Sequence, residues 1–296
     1  MNKLPPFKLE EFWKKYEFSV PHLLCPSDAE SWSCKEIVQM ADPETMELWN
    51  HLSLGYTESP GFPLLRQEIA KLYQQFTLEN IITFAGAEEG IYCAMHALIE
   101  PKDHIIVVSP SYQSLGTLPE ALDANVSWIQ REQKHNWQIL PEQIQSAWRP
   151  TTKLLVFTNP DNPTGQLLSS QSRKTLLQLA QETDSWIFCD EVYSLLGISP
   201  FPKAPPIAEC YHKGISLNVM TKSFGLAGLR IGWLACQDKT FLETVNSIKL
   251  YTSICNSAPS EILALMALRA KEHVLVRNEE ILTHNLQLLK EMVKRH

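Results

Sequence analysis

From about residue 80 the chain alternates short apolar runs with segments whose apolar residues recur at helical spacing. The apolar runs predict strands at 80–86, 103–110, 153–160, 185–193, 214–220 and 230–236. Helices are predicted at 87–100 and 169–183. Continuous apolar strands that alternate with helices are typical of a parallel sheet covered on both faces. The pattern therefore predicts an α/β fold with a mostly parallel central sheet sandwiched by helices, in which ligands bind beyond the carboxyl ends of the strands.

After Tyr251 the pattern changes and is helical almost to the last residue, with a helix cap at Ser257 or Ser260. Apolar residues lie on more than one face of this segment: Ile262, Leu263, Leu265, Met266, Leu268, Ile281, Leu282, Leu286, Leu288 and Leu289. A helix lined in this way normally packs against another element. We expect its last two or three turns to leave an exposed apolar stripe.

Composition and charge exclude several classes of function. Hydrophobic residues make up 44% of the chain and charged residues 20%, which is ordinary for a globular protein. The net charge of −7 argues against nucleic acid or an anionic membrane as partner, since both need a basic face. No apolar run is long enough to span a membrane, and the first residues are too polar for a secretory signal.

Cysteine and histidine patterns add two further expectations. The seven cysteines are scattered and include no C-x-x-C pair, so we expect reduced thiols in a cytoplasmic protein. The nine histidines show no metal-ligand spacing, and a metal site therefore has no support in the sequence.

Two predicted strand ends carry residues suited to ligand binding. In "FAGAEEG" (84–90) small residues join a strand to a helix, so the amides of Ala87 and Glu88 can face an anion at the helix N-terminus. A plain strand-to-helix turn is the alternative. Tyr112 follows the strand at 103–110, where its ring would either stack on a flat ligand or pack in the core.

Polar residues also follow the next two strands. "NPDNPTG" (159–165) contains two Asn-Pro pairs that fix a tight turn and direct the Asn162 amide back towards the sheet edge. "CDEVY" (189–193) brings Asp190 out of an apolar strand, with Tyr193 one turn later on the same side. A buried carboxylate is costly unless it meets a cation or a donor. Asp190 is therefore predicted to bind a ligand or, alternatively, to form a structural salt bridge.

The segment "TKSFGLAGLR" (221–230) holds Lys222 in a turn of small residues, eight positions before Arg230. These motifs, with Asn162 28 residues before Asp190 and Tyr193 three after it, resemble the pyridoxal-phosphate (PLP) enzymes of the aspartate-aminotransferase fold. These are the class I/II aminotransferases, of fold type I. The resemblance runs from about Leu52 to Gly232 and includes the segment 54–73, which is similar to the family pattern Y-x-x-x-x-G-x-x-x-L-R.

The resemblance implies a role for each residue around the cofactor ring. Lys222 would form an aldimine with the cofactor aldehyde and then move the proton of the substrate Cα. Asp190 would pair with the protonated pyridine nitrogen and keep the ring an electron sink. Asn162 and Tyr193 would hydrogen-bond the phenolate oxygen of the ring and lower the pKa of the aldimine. Tyr112 would stack on the ring face.

The resemblance also implies a phosphate site and a dimer. The phosphate would be held by the amides of Ala87 and Glu88, the Thr221 hydroxyl and the Arg230 guanidinium. Tyr56 would reach the phosphate of the neighbouring subunit, because active sites in this family lie at a homodimer interface. Gly225 and Gly228 would let the backbone approach closely.

The family pattern further implies a domain organisation with an incomplete small domain. Residues 1–45 would form an N-terminal arm and the start of the small domain, 46–256 the PLP-binding large domain, and 257–296 a long helix leading into a truncated small domain. Two departures from the family follow. Val219 replaces a serine that often binds the phosphate, and no residue can be assigned to the arginine that clamps the substrate α-carboxylate.

Several functions stay open at this point. The leading hypothesis is amino-group transfer from an amino acid to a 2-oxo acid, in amino-acid metabolism or biosynthesis. The same cofactor would serve β-elimination, decarboxylation, or oxidation or cyclisation of an arginine-like substrate. A truncated, non-catalytic remnant is the third possibility.

In the stretch 23–42, Asp28 and Glu30 would either recognise a basic side chain or belong to a loop that caps the next helix.

Overall fold

A seven-stranded sheet forms the centre of the computed structural model, which describes residues 4–197 and 203–295. Its strands in chain order are β1 Ile81–Phe84, β2 His104–Ser109, β3 Asn125–Gln130, β4 Thr152–Thr158, β5 Trp186–Asp190, β6 Gly214–Val219 and β7 Gly232–Cys236. Their spatial order is β1-β7-β6-β5-β4-β2-β3. Neighbours from β3 to β6 are parallel, and only β7 runs antiparallel to its two neighbours, β6 and β1. The predicted α/β fold with a mostly parallel sheet is confirmed.

Helices cover both faces of the sheet. They are α1 Lys8–Tyr16, α2 Cys34–Gln39, α3 Pro43–Asn50, α4 Pro63–Ala70, α5 Ala87–Leu98, α6 Gln113–Ala121, α7 Pro141–Ala147, α8 Ser170–Thr183, α9 Ile207–Cys210, α10 Lys239–Lys249, α11 Ala258–Arg269 and α12 Lys271–Arg295. Within the described ranges, none of them combines the length and the apolar character needed to cross a membrane.

The core follows from the two-residue period of the strands, which sends alternate side chains to opposite faces. In β2, Ile105 and Val107 pack in the hydrophobic cluster that also holds residues of α5 and α10. Ile106 and Val108 pack on the other face with residues of α8. Burial on both faces explains why the central strands are mostly apolar.

One strand was missing from the sequence prediction. The edge strand β3 has only one buried residue, Ile129, and its Trp128 is partly exposed. An exposed edge strand lacks the apolar run of a central strand. A prediction that relies on apolar runs therefore does not detect it.

The C-terminal helical segment is divided at Ala270, which separates α11 from α12. Residues 262–268 of α11 are all buried, so this helix packs on several sides. The last turns of α12 expose an apolar stripe, as predicted, and its side chains are at least half exposed: Leu288, Leu289, Met292 and Val293. Ser257 precedes α11, but its side chain makes no capping hydrogen bond.

The directions of the strands determine at which edge of the sheet a ligand site can form. The carboxyl ends of β4, β5 and β6 meet at one edge of the sheet because the three strands are parallel. The N-terminus of α5, which follows β1, lies at the same edge because β1 and β6 are both antiparallel to the strand β7 between them.

Candidate active site

A cavity of about 390 Å³ opens at this edge of the sheet. Nine of the ten residues predicted for the site line it: Ala87, Glu88, Tyr112, Asn162, Asp190, Tyr193, Thr221, Lys222 and Arg230. The tenth, Tyr56, lies outside the cavity and is 90% exposed. Its suggested contact with a neighbouring subunit stays a prediction.

Asp190 is the last residue of β5 and is almost fully buried. Burial raises the pKa of its carboxyl to about 7, against the stabilising influence of the Val192 amide and the nearby Lys222. The Val192 amide donates to Oδ1 at 3.2 Å. A carboxylate that is so poorly solvated is stabilised by a cation placed against it.

Asn162 and Tyr193 meet at the same side of the cavity. The Nδ2 atom of Asn162 donates a hydrogen bond to the Tyr193 hydroxyl at 3.2 Å. Burial raises the pKa of Tyr193, so its hydroxyl keeps its proton as a donor. The pair therefore presents an amide and a phenol to one wall of the cavity.

Lys222 lies in the turn after β6 and reaches into the cavity. Its Nζ atom forms an ion pair with Asp28 and a 3.1 Å hydrogen bond with Ser27 Oγ. These two partners belong to the segment between α1 and α2, which crosses the turn. The Lys222 side chain therefore places a primary amine at the cavity wall, and such an amine can react with the aldehyde of a ligand.

Gly225 and Gly228, in the turn around Lys222, were predicted to allow a close approach of the backbone. A Cβ at Gly225 would lie 2.6 Å from the carbonyl oxygen of Glu30, and its φ of +68° is also unfavourable for other residues. The close approach predicted for Gly225 is confirmed. At Gly228 no atom of the described residues lies within 4 Å of an added Cβ, and the close approach expected there stays a prediction.

The opposite end of the cavity suits an anion. A Cβ at Gly86 would lie 2.3 Å from Nη2 of Arg230, so the guanidinium rests directly on the glycine before α5. A Cβ at Gly232 would lie 2.9 Å from the Ala87 amide nitrogen. The first free amides of α5 and a guanidinium thus face the same space, an arrangement that binds phosphate.

Comparison with known proteins identifies the family. The profile described as "Aminotransferase class I and II" matches residues 26–295. The chain belongs to this family.

Relatives agree with this assignment. The chain is 27% identical over 245 residues to "Aspartate aminotransferase" of Pyrococcus horikoshii, covering 80% of this chain and 61% of the relative. It is 28% identical over 189 residues to "Arginine--pyruvate transaminase AruH" of Pseudomonas aeruginosa, covering 60% of this chain and 47% of that protein. The chain therefore spans about half to three fifths of the length of these curated relatives.

A solved structure shows the same fold. A PLP-dependent aminotransferase from Streptococcus suis superposes with a TM-score of 0.92 at 30% identity, over 99% of this chain and 78% of the other. The seven-stranded sheet with its helices is thus the large-domain architecture of the class I and II aminotransferases.

Membership of the class I and II aminotransferase family implies a pyridoxal 5'-phosphate cofactor, and the residues present fit it. Lys222 offers an amine for the aldehyde, and the buried Asp190 suits a protonated pyridine nitrogen. The space next to Gly86 and the Arg230 guanidinium, which we call the Gly86–Arg230 cradle, suits the phosphate. A side chain at residue 86 would fill this space. Val219 lines the cavity without contributing a phosphate donor.

Helix α1 forms part of the site, which the sequence analysis did not predict. Leu9, Glu10, Trp13 and Glu17 line the cavity from this helix and the residue after it. The Tyr112 hydroxyl donates to Glu10 Oε1 at 2.9 Å. The signal for a helix was present in "KLEEFWKKY", but nothing in this local pattern indicates that the helix packs over Tyr112.

The side chain of Glu88 is a second feature that was not predicted, since only its amide was assigned. Its carboxyl lines the cavity and accepts a 2.9 Å hydrogen bond from Ser114 Oγ. Burial raises its pKa, and the nearby Glu10 adds to the rise. The wall near Tyr112 is therefore acidic.

The structure also shows the partners of Arg269 and Arg277 and of the acids in the stretch 23–42. Arg269 pairs with Asp42 and Glu44, and Arg277 pairs with Glu30 at 3.3 Å. Neither arginine lines the cavity, so neither meets a substrate carboxylate there. Asp28 faces the cavity, whereas Glu30 lies outside it.

The stretch that holds Asp28 and Glu30 does cap the following helix. The capping residue is Ser33, whose side chain accepts from the Glu36 amide. The loop therefore has the capping role that was suggested as the alternative.

Glu191 is a buried acid that faces away from the cavity. Its Oε1 atom accepts a 2.7 Å hydrogen bond from the Ile207 amide at the start of α9. Burial raises the pKa of Glu191 to about 7, although the Ile207 amide, Ser216 and Arg173 each act in the opposite direction.

We expect the Glu191→Gln variant to lose part of the pH dependence of folding. Glu191 titrates near 4.5 when solvated and near 7 when folded, so its stabilising contribution is complete below pH 4.5 and is lost as the pH rises through 7. The free energy of unfolding of the wild type should fall by up to about 3 kcal/mol more than that of the variant between pH 5 and 8. Urea unfolding at both pH values measures this difference. Equal pH dependence in the two proteins would contradict the assignment.

Proposed function

We propose that the protein acts as a PLP-dependent aminotransferase that moves an amino group from an amino acid to a 2-oxo acid. The observation that supports this proposal is the convergence of Lys222, Asp190 and the Asn162–Tyr193 pair on one cavity that ends in the Gly86–Arg230 cradle. When bound, the cofactor supplies the electron sink for the reaction.

The groups of the chain would divide the remaining work. The Lys222 amine would hold the cofactor through its aldehyde and, once released, would move a proton at the substrate Cα. Asp190 keeps a proton on the pyridine nitrogen by presenting a poorly solvated carboxylate. Asn162 and Tyr193, which are hydrogen-bonded to each other, would donate to the ring oxygen. Tyr112, whose hydroxyl is held by Glu10, would present its ring to the cofactor face.

The phosphate would be bound at the other end of the cavity. Its partners are the Arg230 guanidinium, the Thr221 hydroxyl and the amides of Ala87 and Glu88, all of which border the cavity. The dianion is favoured there because the first amides of α5 are unpaired within the helix and the helix dipole points the same way.

We also propose a homodimer with shared sites, in which Tyr56 reaches the partner's phosphate. The exposed apolar side chains at this point of the chain support an interface, since Leu54 is 84% exposed and Tyr56 itself is 90% exposed. The free cysteines fit the reducing cytoplasm that the sequence suggests.

The test of the main proposal is a half-reaction experiment on the cofactor-loaded protein. Addition of an amino acid should convert the visible absorption band to the near-ultraviolet band of the aminated cofactor, and addition of a 2-oxo acid should restore it. Consumption of the amino acid without any need for a 2-oxo acid would favour elimination, decarboxylation or oxidation instead. A band that no amino acid changes would point to a non-catalytic protein.

The substrate side chain is a finer proposal, and the cavity favours a basic one. Four carboxyl side chains line the cavity besides Asp190: Glu10, Glu17, Asp28 and Glu88. Among the residues that the structure describes, these carboxyl groups outnumber the two cationic residues that line the cavity, Lys222 and Arg230. An arginine-like guanidinium would complete the balance, and one relative carries the name arginine–pyruvate transaminase. Oxidation or cyclisation of such a substrate is the second candidate reaction.

We expect Glu10→Gln and Asp28→Asn each to raise KM for arginine about tenfold or more, because a hydrogen bond to a charged group contributes about 1.5–3 kcal/mol. KM for alanine, which has no basic side chain, should change much less, because only the contacts of Asp28 with Lys222 and of Glu10 with Tyr112 are then lost. Glu30→Gln is the matched control, since Glu30 belongs to the same arm but pairs with Arg277 outside the cavity. Equal changes for arginine and alanine would contradict the recognition of a basic side chain.

A further inference from the structure

A buried ion pair lies directly behind the turn that carries Asn162. Arg131 Nε is 3.2 Å from Asp161 Oδ1, and the two side chains are 0% and 1% exposed. Neither of these two atoms has a hydrogen-bond partner, so the contact is a charge pair without an aligned hydrogen bond. Neither residue lines the cavity.

Asp161 organises the turn 159–165 from within. Its Oδ2 atom accepts from the Thr164 hydroxyl at 2.5 Å, and its carbonyl accepts from the Gly165 amide at 2.8 Å. Its own amide donates to the Gln166 carbonyl at 2.9 Å. Three groups of residues 164–166 are thus held by the residue that precedes Asn162.

Arg131 connects this turn to the surrounding sheet. Its Nη1 atom donates to the Trp137 carbonyl at 2.9 Å, and Nη2 donates to the Thr158 carbonyl at 3.3 Å. Thr158 ends β4 and lines the cavity. One guanidinium therefore joins the segment after β3, the end of β4 and the Asn162 turn.

A stabilising role alone is a weak explanation for such a pair. Burial of two charges costs several kcal/mol of desolvation, and apolar residues of similar size often give equal or greater stability. In some proteins such buried charges are retained because they specify one geometry. Here the geometry that they specify is that of the residue next to Asp161.

We propose that the Arg131–Asp161 pair is a positioning device that holds the Asn162 amide against Tyr193 and the cavity wall. The proposal rests on the proposed function, because Asn162 is taken to donate to the ring oxygen of the cofactor. The other end of the turn is fixed separately: Asn159 Oδ1 accepts from the Leu168 amide at 2.7 Å, and the Asn159 amide donates to the Asp190 carbonyl at 2.9 Å. Loss of Asp161 would therefore release Asn162 while Asp190 stays in place.

The test is a double-mutant cycle on the cofactor-loaded protein, with the pH midpoint of its visible absorption band as readout. A donor to the ring oxygen favours the deprotonated form and lowers this midpoint. We expect Asn162→Ala and Asp161→Asn each to raise the midpoint by about half to one pH unit. Asp161→Asn should have no further effect in the Asn162→Ala background.

The matched control is Glu261→Gln, which also changes a fully buried carboxylate to an amide, but outside the cavity lining. Its midpoint should equal that of the wild type. If Asp161→Asn does not fold, Thr164→Val removes only the hydroxyl that donates to Asp161, and a smaller rise that also vanishes with Asn162→Ala is expected.

The outcomes separate the two proposals. Absence of a visible band when PLP is added to the wild type would reject the proposed function itself. A band whose midpoint moves in Asn162→Ala but not in Asp161→Asn or, where that variant does not fold, Thr164→Val would reject the positioning role. A shift of undiminished size in the Asn162→Ala background would also reject it, because the pair would then act through another group.

Discussion

Lys222→Ala is expected to abolish the visible absorption band of the PLP-loaded protein and to lower amino-group transfer by about 10⁴-fold. The variant loses both the amine that attaches the cofactor and the base that moves the substrate proton, and a positioned general base alone contributes about 10²–10⁴-fold. Absorption spectra and single-turnover rates with an amino acid measure the two effects. Added free amines should restore part of the rate, because the cavity would still hold the cofactor.

Lys249 is the instructive control for this substitution. Burial lowers the pKa of Lys249 to about 8, although the nearby Glu89 and Glu261 act in the opposite direction. A lysine with a lowered pKa is a candidate nucleophile on chemical grounds alone. However, its amine donates to the Ser59 carbonyl, and the residue does not line the cavity. Lys249→Met should therefore keep the band, and its loss there with an intact fold would contradict the assignment of Lys222.

Asp190→Asn is expected to lower kcat/KM by about 10²–10³-fold, the range typical for removal of one preorganised electrostatic partner. An amide does not stabilise a proton on the pyridine nitrogen, so the carbanion that forms at the substrate loses its electron sink. The effect should appear in kcat more than in KM. Steady-state kinetics, together with circular dichroism to verify the fold, measure it.

Glu191→Gln is the matched control for Asp190→Asn, because the two buried carboxyls are adjacent in the chain and both have a pKa near 7. Glu191 points to the start of α9, and its substitution should leave turnover close to that of the wild type. Similar losses in the two variants would indicate that the segment 189–193 is merely sensitive to substitution. Near wild-type turnover in Asp190→Asn would contradict the pyridine-pairing role.

The sheet, and the edge at which the site lies, were predictable because buried parallel strands have a simple sequence pattern. The central strands are rich in apolar residues, and β5 ends at Asp190, a residue type that a core strand would not tolerate without a partner. Since parallel strands end at the same edge, the sequence brings Asn162 and Asp190 to one place without knowledge of their contacts.

Tertiary contacts account for the features that could not be predicted. The helical pattern of α1 can be read from neighbouring residues. Its position over Tyr112, however, depends on the contact between Glu10 and a hydroxyl 102 residues away in the sequence. The pair of Arg131 and Asp161 is likewise set by packing, and neither residue stands out in its own segment. The division into 1–45, 46–256 and 257–296 stays a prediction.

The most direct test of the account is to locate the cofactor covalently on the intact protein. Reduction of the PLP-loaded protein with borohydride should bleach the visible band and leave one pyridoxyl group per chain. Peptide mapping by mass spectrometry should find that group on Lys222. A pyridoxyl group on Lys213, Lys239 or Lys249 would contradict the central claim.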